Sequence, residues 1–149
     1  MNESRAPDTQ LPGIDASRPN IARVYDYLLG GTDNFTADRE LAGQLLIVNP
    51  GMEQWAHDNR AFVVAAAARA AREGGIAQFL DLGAGLPTHP AVHEAVREVN
   101  PAARVAYVDF DPIAVVHSRA LLAKGDGLAA FQADLTDPEA VLTDPDGRK

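Results

Sequence analysis

The chain has 149 residues, of which 46% are hydrophobic, and this length and composition suit one globular domain of ordinary size. It carries 13 Lys and Arg against 21 Asp and Glu, a net charge of −8, so binding to nucleic acid through a broad basic face is disfavoured. It contains no cysteine, which excludes disulfides and zinc–thiolate sites and fits a cytoplasmic location. No apolar stretch approaches the roughly 20 residues that a membrane-spanning helix needs, and the first residues lack the apolar core of a secretory signal.

The N-terminal half of the sequence predicts a short tail followed by helices. Prolines, a glycine and polar residues dominate residues 1–15, for which we expect a mobile tail. Residues 16–75 show apolar residues at helical spacing and predict an N-terminal helical subdomain. The predicted helices begin at three places: near Ser17, near Thr36, and at Pro50 or Met52. Trp55 and Phe62 are expected on the apolar, core-facing side of the third helix.

The second half, residues 76–149, alternates short apolar runs with helical patterns. Strands are predicted at 78–82, 104–108 and 129–133, and helices at 90–99, 112–124 and 138–142. This βαβαβ alternation is typical of a parallel sheet, and right-handed crossovers place the strands in the order 3-2-1. The predicted fold class is therefore α/β, with a Rossmann-like open parallel sheet that is incomplete and is preceded by the helical subdomain.

Acidic residues and glycines follow each predicted strand. The residues concerned are Asp81, Gly83 and Gly85 after the first strand, Asp109 and Asp111 after the second, and Asp134 with Leu135 after the third. In open parallel sheets, ligands bind outside the carboxyl ends of the strands. The two glycines allow a tight turn and a close ligand approach. Carboxylates at the later positions can accept hydrogen bonds from the hydroxyls of a ribose and the amine of an adenine.

Each of these signals also has a purely structural interpretation. A Gly-x-Gly pair can form a tight strand-to-helix turn, and Asp109, Asp111 or Asp134 can cap the helix or turn that follows it. Capping, however, does not require acidic residues at the same edge of one sheet after three separate strands. The combination therefore favours a nucleoside-binding site.

The sequence of the glycine loop distinguishes between two kinds of cofactor. A dinucleotide fingerprint has a third small residue where this loop has Thr88, and Pro87 removes an N–H that a pyrophosphate would use. A carboxylate at Asp81 would also repel a pyrophosphate but suits a cationic amino group. S-adenosylmethionine has such an amino group, a ribose and an adenine, and no phosphate. His89 and His93 lie four residues apart, the spacing of two metal ligands on a helix, but Pro90 follows His89 where a metalloprotease helix carries Glu. No metal site is therefore predicted.

From about Ile14 to Leu142 the chain resembles a bacterial family of S-adenosylmethionine-dependent methyltransferases that was long described only as a domain of unknown function. The resemblance lies in five parts of the sequence: Ser17 to Pro19, the helical run Arg23 to Gly31 with its double glycine, Asp33 to Phe35, Asn59 to Phe62, and the three strand ends. It implies that the glycine loop lines the methionine part of the cofactor, that Asp109 holds the ribose, and that Asp134 and Leu135 contact the adenine. It also suggests that the helical half covers the cofactor, with Tyr25, Asn34 or Arg60 facing it. A surface position is the default interpretation for Arg60. Neither the methyl acceptor nor a catalytic residue is identified.

The sequence departs from that family in length. Class I methyltransferases resemble a seven-stranded sheet whose fourth strand pairs with the first, and this chain stops after the third. We therefore expect a fragment, or a chain that needs a partner chain to complete its sheet, because the first strand would be an apolar, unpaired edge. Two alternative functions stay open: half of an NAD(P)-dependent oxidoreductase, and a truncated cofactor-binding protein without catalysis.

Overall fold

The computed structural model describes residues 15–148, which fold into helices and one three-stranded sheet. In chain order the elements are α1 (Ile21–Leu28), α2 (Thr36–Val48), α3 (Met52–Gly74), β1 (Gln78–Leu82), α4 (Val92–Val99), β2 (Arg104–Asp109), α5 (Pro112–Leu121), β3 (Leu128–Gln132), α6 (Pro138–Thr143) and a 3₁₀ turn (Asp146–Arg148). The chain divides into two compact units within α3, after Ala56. The domain boundary expected after residue 75 stays a prediction. The tail predicted for residues 1–15 lies, apart from Asp15, outside the described residues.

The first helix begins later than the sequence predicts. Asn20 caps α1, because its side-chain oxygen accepts hydrogen bonds from the N–H groups of Ala22 and Arg23. The prediction that Ser17 caps this helix is wrong. The hydroxyl and N–H of Ser17 instead donate to the carboxylate of Asp15, which forms a turn ahead of the helix. The start of α2 at Thr36 agrees with its prediction.

A buried ion pair organises the first unit. The Nε of Arg23 donates to the carboxylate of Asp38 over 2.8 Å, and both side chains are almost fully buried. The same carboxylate accepts hydrogen bonds from the N–H groups of Asn20 and Phe35, each at 2.8 Å. Asp38 thus joins the start of α1 to the start of α2. The apolar core beside it consists of Val24, Leu28, Ala42 and Ala56.

Helix α3 buries small residues rather than its large aromatic ones. Trp55 and Phe62 are 56% and 71% exposed, so the expectation that they lie in the core is wrong. The buried positions of α3 are Ala56 and Ala71, and the small methyl group of alanine allows close packing. The edge of the Trp55 ring instead meets the ring of Tyr25. Within residues 15–148, no helix, α3 included, combines the length and apolar character needed to span a membrane.

The sheet in the second unit has the strand order that the sequence predicts. Both strand pairs are parallel and the order is β1-β2-β3, which confirms the open Rossmann-like arrangement. On one face, α3, α4 and Leu122, which follows α5, contribute to a core around Val105 and Tyr107. On the other face, Val141 of α6 packs with Phe131 of β3.

Strand β1 forms an open edge of the sheet. Among residues 15–148 its only partner strand is β2, and Leu80 and Leu82 are 44% and 53% exposed. Phe79 points to the opposite face and packs against the core there. The expectation of an apolar, unpaired first strand is therefore confirmed.

Candidate functional site

The glycine loop that follows β1 is held against the end of β2. The N–H groups of Gly83 and Ala84 both donate to the carbonyl of Val108, at 2.8 and 3.0 Å. Gly83 and Gly85 have φ angles of 73° and 66°, a region that side chains other than glycine rarely adopt. A Cβ added to Gly83 would meet no neighbouring atom within 4 Å, so the loop borders open space that a ligand can fill.

Asp109 ties this loop to the end of β2. Its Oδ2 accepts a hydrogen bond from the N–H of Gly85 at 2.7 Å, and its Oδ1 accepts one from the N–H of Asp111 at 2.8 Å. A carboxylate has about four acceptor positions, so each oxygen can still accept a hydrogen bond from a ligand hydroxyl. The position predicted to hold a ribose therefore carries acceptors beside the open glycine loop.

Asp81 and Arg60 bring opposite charges to the same loop. Burial raises the pKa of Asp81, the nearby Arg60 guanidinium opposes that rise, and the negative charge of Asp109 adds to it. The guanidinium of Arg60 donates to the carbonyls of Pro90 at 2.8 Å and Thr88 at 3.4 Å. Helix α3 thus reaches the far end of the glycine loop through one side chain.

Arg60 also carries an unused hydrogen-bond donor. Its Nε is buried and, among the described residues, is the one buried side-chain N or O atom without a hydrogen-bond partner. An orphaned donor on a cation is costly to bury, and an anionic ligand group would satisfy it. Arg60 was predicted to face a cofactor, and this donor supports that prediction.

The end of β3 lies next to the end of β2. The N–H of Ala133 donates to the backbone carbonyl of Asp109 at 3.1 Å. One step further, the Oδ1 of Asp134 accepts hydrogen bonds from the N–H and the hydroxyl of Thr136. These bonds lower the pKa of Asp134, which keeps its exposed side chain ionised. Leu135 is partly exposed beside it.

Asp111 has a clear structural role. Its side chain accepts a hydrogen bond from the N–H of Ile113 at 2.8 Å and so caps α5, whose first residue is Pro112. The capping interpretation therefore applies to Asp111, whereas Asp109 accepts hydrogen bonds from Gly85 and Asp111. A cofactor-binding role for either residue stays a prediction.

Tyr25 and Asn34 belong to the first unit, where both side chains have local partners. The hydroxyl of Tyr25 donates to the carbonyl of Ala56 at 3.0 Å. The amide nitrogen of Asn34 donates to the carboxylate of Asp26 and to the carbonyl of Gly31. These contacts stabilise the helical unit, and a cofactor-facing role for either residue stays a prediction.

Tyr107 and His93 form a pair that the sequence pattern does not predict. Tyr107 lies on β2 opposite Asp81, and its hydroxyl oxygen is 2.7 Å from the Nδ1 of His93 at the start of α4. No spacing rule joins a strand residue to a helix residue across the sheet. The available signal was a tyrosine inside an otherwise aliphatic strand, because a buried hydroxyl needs a partner.

Comparison with known proteins identifies the family of this chain. A family model described as S-adenosyl methyltransferase matches residues 7–149. The fold is similar to the crystal structure of a Thermobifida fusca YX protein provisionally named a methyltransferase, with 54% identity and a TM-score of 0.88 over 92% of this chain and 52% of that one. It is also similar to a DUF574 family protein from Streptomyces avermitilis MA-4680, with 40% identity and a TM-score of 0.84 over 89% of this chain and 51% of that one.

The chain spans about half the length of these two relatives, and no curated protein matches it. The family match covers both the helical unit and the sheet, including every strand-end residue of the site described above. The chain therefore belongs to the S-adenosyl methyltransferase family.

Proposed function

We propose that this chain binds S-adenosylmethionine at the carboxyl edge of its sheet and forms the cofactor-binding part of a methyltransferase. The observation that carries the proposal is the Asp81–Arg60 arrangement beside the glycine loop. The cofactor ends in an amino acid, which carries a cationic amino group and an anionic carboxylate. Asp81 can accept from the amino group, and the unpartnered Nε of Arg60 can donate to the carboxylate.

The other strand ends match the nucleoside part. Asp109 would hold the ribose hydroxyls, and Asp134 with Leu135 would contact the adenine. Gly83 and Gly85 would let the backbone approach the methionine part without a Cβ in the way. When bound, S-adenosylmethionine supplies a methyl group that its sulfonium already activates. The contribution of this chain would be to position that group, which can remove several kcal/mol, up to about 7–11, from a barrier.

The two alternative functions fit the loop less well. A dinucleotide would bring a pyrophosphate toward the carboxylate of Asp81 and toward Pro87, which has no N–H to donate. The unpartnered Nε of Arg60 could donate to a phosphate as well as to a carboxylate, so the preference against a dinucleotide rests on Asp81 and Pro87. A binding protein without catalysis would share the whole site, so only an assay of transfer separates it from an enzyme.

Calorimetric titration distinguishes these functions. We expect S-adenosylhomocysteine, the demethylated product, to bind to the wild-type chain and NADH not to bind. Asp109→Ala should abolish this binding. Asp126→Ala should leave the binding unchanged, because this exposed carboxylate precedes β3, at the amino-terminal end of the strands. Binding of NADH alone would favour the oxidoreductase, and a folded chain that binds neither ligand would contradict the proposal.

We further propose that a partner chain or segment completes the sheet along β1. Leu80 and Leu82 form an apolar edge whose backbone groups have no neighbouring strand on one side, and such edges pair with other strands. The relatives are about twice as long as this chain, so they have residues that could cover this edge. That second part would help to bind the methyl acceptor. We therefore expect the chain alone to transfer little or no methyl, whether in the cytoplasm or in a purified sample.

Self-association tests the open edge. We expect the chain alone to form oligomers, and Leu82→Lys to shift them toward monomer in light scattering, because a charged side chain on an edge strand opposes pairing. Val116→Lys is the matched control, since Val116 is exposed on α5 and away from β1. A monomeric wild-type chain that unfolds cooperatively would contradict the proposed partner.

A further inference from the structure

The start of α4 is fastened to the middle of the sheet by one buried hydroxyl. Tyr107 on β2 is 2% exposed, and its oxygen accepts a hydrogen bond from the backbone N–H of His93 at 3.1 Å. The same oxygen lies 2.7 Å from the Nδ1 of His93, and the two rings meet edge to face. Both the backbone and the side chain of His93 are therefore held by one strand residue.

This contact fixes one end of the glycine loop. At the start of the loop, the N–H of Gly83 donates a hydrogen bond to the carbonyl of Val108, and the N–H of Gly85 donates one to the carboxylate of Asp109. At its far end the chain enters α4, where His93 is the second helical residue. Tyr107 is also the neighbour of Asp81 across the β1–β2 pair. A movement of α4 away from Tyr107 would thus shift the loop over the proposed amino-acid site.

The hydrogen bond between the Tyr107 hydroxyl and His93 depends on which nitrogens of the imidazole carry a proton. Tyr107 has one proton to donate, and burial raises its pKa to about 12, so it stays protonated. If His93 is neutral with its proton on Nε2, Tyr107 donates to Nδ1 and accepts from the backbone N–H, and all three groups are satisfied. If His93 is doubly protonated, Nδ1 becomes a donor and the tyrosine proton loses this buried acceptor.

The surroundings of His93 decide which form prevails. The charged or titratable groups that act on it are Glu94 and Arg97 on α4 and His89 in the loop, with Tyr107 on β2 and, beyond the tyrosine, Asp81 and Arg60. Burial is the largest influence and lowers the pKa of His93, while Glu94 opposes it. The carboxylate of Glu94 is also engaged by the N–H of Ala91 and the ring of His89. The neutral form of His93 is therefore favoured near neutral pH.

We infer that His93 is a positioning residue, whose neutral Nε2-protonated imidazole holds α4 and the glycine loop, through Tyr107, in the arrangement that binds the cofactor. The inference rests on the proposed cofactor site. It follows that protonating His93 weakens cofactor binding through the position of the loop, separately from any proton that Asp81 takes up in acid.

Two measurements test this role, and the first needs no ligand. In ¹⁵N spectra of the histidine rings, His93 should show an unprotonated Nδ1 and a protonated Nε2, and the amide shifts of Gly83 and Gly85 should follow its titration. In Tyr107→Phe, the preference for this tautomer should weaken toward that of a free neutral imidazole. A protonated Nδ1 in the neutral wild-type protein, or glycine shifts that ignore the titration, would overturn the inference even if the chain binds no cofactor.

The second measurement is the affinity for S-adenosylhomocysteine between about pH 8 and about pH 5.5. Wild-type affinity should fall severalfold over this range, and by less than the roughly tenfold cost of one unsatisfied buried donor, because the lowered pKa of His93 limits its protonation at the acid end. His93→Asn places an uncharged acceptor oxygen where Nδ1 lies, so it should bind normally at high pH and lose less affinity in acid than the wild type. His93→Leu should bind weakly throughout, and the exposed control His57→Asn should behave like the wild type. The same acid effect in His93→Asn would refute the role of His93, whereas no binding at any pH by the wild type would instead refute the cofactor site.

Discussion

The carboxylate of Asp109 and the N–H of Gly85 form a 2.7 Å hydrogen bond that joins the end of β2 to the loop after β1. The second oxygen of Asp109 accepts from the N–H of Asp111, so one side chain holds two backbone segments. A ligand hydroxyl that binds this carboxylate therefore meets an acceptor whose position is already fixed. Such prior positioning lowers the entropy cost of binding.

Replacing Asp109 by Asn should loosen the loop even without a ligand. The amide has one acceptor oxygen, and its NH₂ group would face one of the two backbone donors. Hydrogen bonds to charged groups contribute about 1.5–3 kcal/mol, so we expect amide hydrogen exchange at Gly85 to accelerate roughly 10- to 100-fold. Asp126→Asn is the control, because Asp126 lies at the amino-terminal end of the strands, away from the loop. Unchanged exchange at Gly85 in Asp109→Asn would show that the carboxylate does not hold the loop.

Substitutions at two glycines should separate backbone strain from ligand contact. Gly83 in the loop and Gly75 after α3 have φ angles of 73° and 63°, and an added Cβ would meet nothing nearby at either position. Alanine at each should lower the free energy of unfolding by a similar roughly 1–2 kcal/mol. Only Gly83→Ala should also weaken binding of S-adenosylhomocysteine in a calorimetric titration. Equal affinities of the two variants would mean that the space beside Gly83 is not the binding site.

We expect ionised Asp81 to lower the free energy of unfolding while it contributes to cofactor binding. Burial raises its pKa above the ordinary 3.8, so in acid the folded chain takes up this proton before the unfolded chain does. The folded state consequently gains stability from this group as the pH falls through the raised pKa toward 3.8. We expect Asp81→Asn to raise the free energy of unfolding at neutral pH and to weaken cofactor binding.

Denaturant titrations of the wild type and Asp81→Asn at several pH values check this sign. The difference in stability between the two proteins should shrink as the pH falls, because protonated Asp81 then resembles asparagine. Asp126→Asn, at an exposed position, should show no such trend. A variant that is less stable than the wild type at neutral pH would show that the attraction to Arg60 outweighs the cost of burial.

Much of the sheet could be predicted because its signals are local. Strands β1, β2 and β3 agree with the predicted runs to within one residue, and glycine or proline marks the boundaries between strands and helices. The start of α1 could not be predicted in this way, because Ser17 and Asn20 are both good capping residues. The N–H of Asn20 is bonded to Asp38, a partner 18 residues away, and this contact favours the later start.

The strand-end part of the site could be predicted for the same reason, and the rest could not. Asp81 and Asp109 follow predicted strands, so the topology alone places them at one edge. Arg60 comes from a helix before the sheet, and only the family resemblance suggested it. Tyr107 and His93 become neighbours through the packing of α4 on β2, which the sequence pattern does not specify.

The buried ion pair in the first unit should be among its largest single contributions to stability. Asp38 accepts three hydrogen bonds, from the Nε of Arg23 and from the N–H groups of Asn20 and Phe35. Asp38→Asn removes the negative charge and leaves the buried guanidinium uncompensated, so we expect the free energy of unfolding to fall by about 3–5 kcal/mol. Denaturant titration followed by circular dichroism measures this loss.

An exposed ion pair on α3 supplies the comparison for Asp38. Arg69 and Glu73 lie 2.7 Å apart with most of both side chains in solvent, and Glu73→Gln should cost no more than about 0.5 kcal/mol. A double variant, Arg23→Met with Asp38→Leu, should recover only part of the loss. It removes the uncompensated cation, but the N–H groups of Asn20 and Phe35 still lack the acceptor that the carboxylate provided. Full recovery would mean that Asp38 stabilises this unit through its charge alone and not through the two helix starts that it joins.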